Sequence, residues 1–445
     1  MRRILLCIAA IVVVVLATGI WMVRGPDPMA FANGKIVALV AYEAGDPTGV
    51  PSSLAKTSLI ERGKYLAEAA DCMACHTSQG GKDYAGGLGI RLLFGALYST
   101  NITPNKETGI GNYSDQDFLN AVQRGIRRDG ARLYPAMPFT SYTYMTDADA
   151  LAIKSYLFSL SPMRMMAPAN TLTFPFDQRW AMRFWSVLFT RDSRFEPDAS
   201  QTPEWNRGAY LAEALAHCGE CHTPRSLALA LDNRKKFAGA VTAGWRAFNI
   251  SSDQTTGLGA WRDDDIVSYL SIGHASGHGT ASGPMGEAVD HSFSKLVPED
   301  VRAVVAYLRS VPAIASPDLP ATLAPPAPAS HRQGGGTPDP RGKMVFEGAC
   351  VSCHGWTGES SISPFATLTG SRAVNDPSAS NVAQIVISGT RRHTPENAVS
   401  MPSFGNAYSD DEIAAVANYV TARFGSKGSQ ITARDAAELR KQTSE

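Results

Sequence analysis

Six of the seven cysteines stand in three copies of one motif, Cys-x-x-Cys-His, at Cys72/Cys75/His76, Cys218/Cys221/His222 and Cys350/Cys353/His354. This spacing attaches c-type haem. The two thiols form thioethers with the porphyrin edge, and the adjacent histidine falls beneath the iron as an axial ligand. Two other chemistries compete. A zinc site takes about four ligands, and each cluster offers three adjacent ones with no second cysteine pair nearby. A redox Cys-x-x-Cys has no reason to be followed by histidine three times. No cysteine is left to cross-link domains, because Cys7 lies in an apolar N-terminal run. A disulfide scaffold is therefore weakly supported.

The sixth iron ligand separates electron transfer from ligand chemistry. Met/His ligation raises the haem potential and closes the iron. A methionine beside proline follows each motif: Met137, Met285 and Met401, which lie 61, 63 and 47 residues after His76, His222 and His354. Methionine is usually core filler, but filler does not explain the repeated position. All three are expected in proline-containing loops just before a closing helix. His274, His278 and His291 flank Met285 and are its rivals. Met163, Met165 and Met166 read as packing or interface residues.

Repeats supply the elements that hold these groups. Arg62-Gly63-Lys64-Tyr65-Leu66, Arg207-Gly208-Ala209-Tyr210-Leu211 and Arg341-Gly342-Lys343-Met344-Val345 precede the three motifs, at 10, 11 and 9 residues from arginine to cysteine. Ser58 with Glu61 forms a capping box. Thr202-Pro203-Glu204 and Thr337-Pro338-Asp339 place a cap before an N1 proline. Each motif thus ends a short helix. Closing helices are expected near Asp147–Leu160, Pro298–Ser310 and Asp410–Phe424, each with a tyrosine near its end (Tyr156, Tyr307, Tyr419). The first two repeats also share Tyr84-Ala85-Gly86-Gly87 with Phe237-Ala238-Gly239-Ala240, and Asn101-Ile102 with Asn249-Ile250. The third repeat lacks these pieces and is shorter.

The expected fold is mainly α: three cytochrome c-like haem domains in tandem after an N-terminal transmembrane helix. Roughly 100–200 residues per domain also gives about three domains for this length. Residues 1–25 form an anchor or signal segment and 26–54 a connection. Domain 1 spans 55–168, domain 2 spans 169–316 and domain 3 spans 337–428. A Pro/Gly-rich linker, 317–336, would let domain 3 move, and 429–445 is a polar tail. Domains 1 and 2 have no such linker and should pack together. Ile4–Val23 is 20 residues without a charge, long enough to span a bilayer, and Arg2 and Arg3 favour a cytoplasmic N-terminus. Ala30-Phe31-Ala32 leaves a cleaved signal peptide open. Either way the haem domains are exported, to the periplasm of a Gram-negative cell. The net charge of zero gives no footing for nucleic acid.

Glu61–Pro312 resembles the multihaem cytochrome c subunit of bacterial membrane-bound alcohol, aldehyde and sugar-acid dehydrogenases. The resemblance rests on Ala85-Gly86-Gly87, Ser99-Thr100-Asn101-Ile102-Thr103-Pro104, Leu133-Tyr134-Pro135-Ala136-Met137-Pro138 and His217-Cys218-Gly219-Glu220-Cys221-His222-Thr223-Pro224-Arg225. Domain 3 matches more loosely. The N-terminal helix and Phe31–Pro51 look most like the aldehyde dehydrogenase type, whose partners are a molybdenum hydroxylase and a small iron–sulfur subunit. The alcohol dehydrogenase type, with a quinone-cofactor partner, comes next, then the flavin-dependent gluconate and sorbitol types. The resemblance implies three covalently bound haem c groups on the periplasmic side of the cytoplasmic membrane. It also implies electron flow from a catalytic subunit to ubiquinone, with no catalysis by the chain alone. Two other readings are an independent multihaem peroxidase or nitrogen-oxide reductase, and a free shuttle or oxidase subunit. The first needs an open axial position, and the second usually has fewer motifs.

Overall fold

The computed structural model describes residues 2–32, 35–38, 53–54, 56–92, 94–316, 339–393 and 398–443. The chain is mainly helical; its described strands form five two-stranded antiparallel sheets. The Pro/Gly linker and most of 26–54 lie outside the described residues.

Each repeat is built on one crossing of helices. Opening helices Leu59–Ala69, Pro203–Tyr210 and Pro340–Ala349 pack on closing helices Asp147–Ser159, Pro298–Ser310 and Asp410–Phe424. The shared glycine explains the contact. A Cβ on Gly63, Gly208 or Gly342 would sit 1.9, 1.8 or 2.0 Å from the carbonyl oxygen of Ala152, Ala303 or Ala415. Only glycine lets the two backbones approach this closely. The closing tyrosines Tyr156, Tyr307 and Tyr419 pack on the same spot. Ser58–Glu61 and Ser409–Glu412 form capping boxes, and Thr202 caps with Pro203 at N1. In the third repeat the cap is two residues later than expected: Asp339 accepts from Arg341 and Gly342, with Pro340 at N1. Thr337 and Pro338 lie outside the described residues.

The extra residue between Arg207 and Cys218 is absorbed as a π turn, Leu211–Leu215, in which the Ala216 N–H donates to Leu211 O at 2.7 Å. The first repeat continues as ordinary helix there.

Domains 1 and 2 share one apolar core, running from Met29 to Val311. Arg62 pairs with Asp149 at 2.6 Å and Arg207 with Asp300 at 2.7 Å, each tying an opening helix to its own closing helix. The tyrosines three residues on cross over. Tyr65 donates to Asp300 at 2.6 Å, and Tyr210 to Asp149 at 2.7 Å. Each hydroxyl also accepts a backbone N–H from the other domain, Val297 and Thr146 respectively. The two repeats therefore face each other across a pseudo-twofold relation. Met344 replaces the tyrosine in the third repeat and is exposed. Residues 170–179, expected to begin domain 2, bond to domain 1 instead: Thr171 and Thr173 N–H donate to Ala96 and Phe94 carbonyls, and Arg179 to Arg132 O.

Domain 3 has its own core, Val345 to Leu439. Its expected polar tail holds a helix, Ala433–Gln442, whose Ala436 and Leu439 are buried in that core. Despite the linker, domain 3 is tied to domain 2. Buried Arg372 donates to Asn249 and Thr256 carbonyls, Arg392 pairs with Asp290, and Asn381 exchanges bonds with the Arg246 backbone.

Helix Arg2–Arg24 contains the uncharged run. Among the described residues no helix is long and apolar enough to cross a membrane. Several side chains of Arg2–Arg24 lie outside the described residues.

Candidate haem-attachment sites

All three motif histidines are built alike. Nδ1 of His76, His222 and His354 lies 2.6 Å from the carbonyl oxygen of Thr100, Phe248 and Ala366, respectively. A carbonyl only accepts, so Nδ1 carries the proton and Nε2 keeps its lone pair. Hydrogen bonds of this kind fix the tautomer and orient a metal-ligating imidazole. Burial also lowers the affinity of each ring for a second proton, to about 4 at His222. The rings are neutral and ready to ligate at physiological pH.

The supporting loops match between repeats 1 and 2. Gly86 and Gly239 N–H donate to His76 O and His222 O. Tyr84 and Phe237, both at positive φ, donate N–H to Thr77 and Thr223 hydroxyls. Asn101 Nδ2 bridges Thr108 and Met163 O, as Asn249 Nδ2 bridges Thr256 and Ile314 O. This is how the shared Asn-Ile phrase holds Thr100 and Phe248 under their histidines. The backing carbonyls are main-chain atoms, so residue types alone did not reveal them; the repeated phrase was the available signal. Met163 and Met165 act here through their carbonyls.

None of the six motif cysteines is paired in a disulfide. Burial holds Cys72, Cys75 and Cys218 up at about 12 and Cys221 and Cys350 up at about 11. A reactive redox pair needs the opposite shift. Cys353 departs from the other five, in keeping with the divergent third repeat. It is exposed, whereas the other motif cysteines are half-buried, and the exposed Ser352 hydroxyl lies 4.0 Å from its sulfur. The physical reason is the shorter third repeat, which lacks the Tyr84 and Phe237 loops that fold back on the first two motifs. Cys353 keeps its place in the motif, one residue before a correctly backed His354, so the third attachment motif has the more open edge.

Among the described residues no three His, Cys, Asp or Glu side chains gather as a metal site. The donor set thus fits covalent haem: two thiols for thioethers and one neutral imidazole with a free Nε2. When bound, the group supplies one-electron transfer at its iron.

Met137 and Met285 are half-buried against the core that also holds Cys72 and Cys218, and Met401 against the core that holds Cys350. Met137 lies in a turn, as expected. Met285 does not lie in a loop: it sits in the first turn of helix Gly283–His291, started by Pro284. Met401 ends strand Ala398–Met401, paired with Thr390–His393. Of the histidine rivals, His278 is stacked on Trp261 at 3.7 Å and faces Asp265, while His274 Nδ1 lies 3.0 Å from the Thr280 hydroxyl. The His274 ring also lies against Phe365, with centroids 5.0 Å apart. His291 ends the Met285 helix.

The first two sites interlock. The segment after Met137 rests on the second motif, where Thr140 and Ser141 donate to Glu220 at 2.8 and 3.2 Å. The Met285 helix in turn contacts the first motif helix, Cys72–His76. Tyr142 joins them, donating to Ala70 O at 2.6 Å with its ring edge-on to His217. The third site abuts domain 2. The Thr280 hydroxyl donates to Phe365 O, one residue before the carbonyl that backs His354.

The Cytochrome c family model matches residues 60–161 and 340–423, which contain the first and third motifs. The fructose dehydrogenase cytochrome subunit of Gluconobacter japonicus is 37% identical over 421 residues, covering 90% of this chain and 86% of that one. The chain belongs to the cytochrome c family. This cytochrome is also similar to a nicotinate dehydrogenase chain of Pseudomonas putida, 39% identical over 382 residues, 85% of this chain but 31% of that one. A third relative is the gluconate 2-dehydrogenase cytochrome c subunit of Pantoea cypripedii, 35% identical over 403 residues, 87% and 90% of the two chains. Covalent haem c is what the family carries, in agreement with the donor set of this cytochrome.

Proposed function

We propose that this chain is the electron-transfer cytochrome subunit of a dehydrogenase complex, with three haems, passing electrons to ubiquinone in the membrane. The observation that carries the reading is the triplicate imidazole geometry, Nδ1 on a carbonyl and Nε2 free, with a half-buried methionine in each core. His76 with Met137, His222 with Met285 and His354 with Met401 are the axial pairs. Met/His pairs leave no open iron position, which favours a relay over an independent reductase or peroxidase. The interlocked first and second sites and the adjoining third support one conducting line.

The partner is a catalytic subunit that oxidises a sugar, sugar acid or alcohol. Similarity to cytochrome subunits named for fructose, gluconate and alcohol supports this more than the aldehyde type that the sequence put first. The molybdenum hydroxylase with an iron–sulfur subunit is correspondingly less supported.

Helix Arg2–Arg24 is the anchor in the cytoplasmic membrane, with the haem domains on the periplasmic side. Its described apolar side chains, among them Leu6, Ile11, Val13, Val14, Val15 and Ile20, are exposed on the isolated chain. The residues that follow it are built into the core: Met29 is 1% exposed, Phe31 lies against Tyr307, and strand Lys35–Ala38 pairs with Ser193–Glu196. Cleavage after Ala32 would remove Met29 from that core, which favours retention.

Purification from the native membrane tests the whole reading. Intact-mass measurement should give three haems on a chain that keeps its N-terminus, together with a co-purifying dehydrogenase subunit. Two haems per chain, or a chain that purifies alone and turns over peroxide, would refute it.

A further inference from the structure

A cleft lies between the end of helix Arg2–Arg24, helix Ala181–Phe189 and the second haem motif. Its free interior is about 60 Å³. At ~10–15 Å³ per water that is about four to six waters, on the order of the bulk of one six-membered ring. Trp185 and Phe189, with ring centroids 5.2 Å apart, and Tyr144 give it flat apolar walls. Gly219, between the two motif cysteines, reaches the same cleft, so an occupant would lie beside the second haem-attachment site.

The polar lining is not self-satisfied. Arg24 Nε and Asn233 Oδ1 are buried without a hydrogen-bond partner, as is the Thr190 hydroxyl next to Phe189. One orphan is a donor, one an acceptor and one can be either. Deeper in, Glu213 accepts from Lys236 Nζ at 2.7 Å and from the Tyr307 hydroxyl at 2.5 Å. Glu213 stands in the π turn created by the second repeat's extra residue. Such turns gather at functional sites. The mouth opens where the uncharged helix ends: Arg234 donates to Met22 O and Asn233 Nδ2 to Pro26 O. Beside it Trp180, Phe184 and Val187 are exposed.

We propose that this cleft binds the ring of a membrane quinone, with its isoprenoid tail leaving along helix Arg2–Arg24. The inference rests on the proposed role as donor to a membrane quinone and gives that role a location. A quinone carbonyl suits Arg24 as acceptor, and a quinol hydroxyl suits Asn233 Oδ1 as donor. A lipid phosphate would also meet Arg24 and its neighbour Arg191. The three aromatic walls favour a flat ring over a phosphate.

The test is photolabelling of the membrane-purified complex with an azido-ubiquinone, with peptides mapped by mass spectrometry and decylubiquinone as competitor. Label is expected within 24–28, 185–191 or 213–233, and at least tenfold weaker in R24L and in N233A, with haem spectra unchanged. Label mapped elsewhere, or undiminished in both variants, would overturn the site while leaving quinone as acceptor. Absence of any competable label, together with no quinone reduction by the complex, would overturn the acceptor reading itself. Label displaced by glycerol phosphate and not by decylubiquinone would identify a lipid headgroup site and overturn the proposal.

Discussion

Tyr65→Phe removes one oxygen atom from the joint between domains 1 and 2. That hydroxyl donates to Asp300 at 2.6 Å and accepts from Val297 N–H at 3.2 Å. Burial, with the Asp300 carboxylate beside it, pushes the phenol's pKa upward, so the group stays a neutral donor at working pH. A hydrogen bond to a charged acceptor contributes about 1.5–3 kcal/mol, and a backbone N–H left without its partner costs about 1 kcal/mol or more. Asp300 keeps both contacts to Arg207, at 2.8 and 2.7 Å, so no buried charge is stranded. The expected loss is therefore about 2–4 kcal/mol, a roughly 30- to 900-fold fall in the folded-to-unfolded ratio. With a urea slope of roughly 3 kcal/mol per M, the midpoint should fall by about 1 M. The assay is equilibrium urea unfolding of the haem-loaded chain, with separate probes on the two cores. The transition of the shared domain 1–2 core should move, and that of domain 3 should not. Tyr210→Phe, which loses Asp149 and Thr146, should behave the same way. A midpoint shift under about 0.2 M, or an equal shift in domain 3, would refute the crossed-tyrosine account.

Gly342→Ala should push Ala415 away and destabilise domain 3 by about 1–3 kcal/mol while the other two haem domains keep their spectra; limited proteolysis reads this directly. Met29→Ala should cost about 2–5 kcal/mol as a core truncation, measurable by thermal unfolding, and no effect would argue that the segment after the helix is not part of the core. Acid should loosen the capped helices. The Ser409 hydroxyl and N–H hold the Glu412 carboxyl below its ordinary 4.5, so its contribution is complete above that value and lost as pH falls through the lowered one. Glu412→Gln should flatten that acid limb in circular dichroism at pH 3–6. Replacing Met285 by alanine should change one haem's spectrum and potential with haem content unchanged, whereas an unaltered spectrum would show that it does not ligate.

The three attachment motifs and their histidines were legible in the sequence, because covalent attachment demands particular residue types at fixed spacing; the glycine repeated before each motif was visible there too, but its place at the helix crossing came from the structure. The closing helices were also read to within a residue, since caps and apolar periodicity are local. Other features depended on atoms brought together from distant parts of the chain. Thr100, Phe248 and Ala366 back their histidines through main-chain carbonyls, which any residue could supply. Tyr65 and Tyr210 look like ordinary helix residues until each meets the other domain's aspartate. Cys353 reads in the motif like Cys75 and Cys221, and its exposure follows from loops that the third repeat does not have. The extra residue before Cys218 could have lengthened a loop; instead it became a π turn and carried Glu213 to the cleft. Met285 was expected in a loop because Pro284 reads as a breaker, but proline also starts helices. Sequence determined the haem chemistry because that chemistry is written in side chains. Tertiary structure decided how the sites meet, because their mutual placement rests on backbone atoms and on contacts more than 60 residues apart along the chain, such as Tyr210 to Asp149.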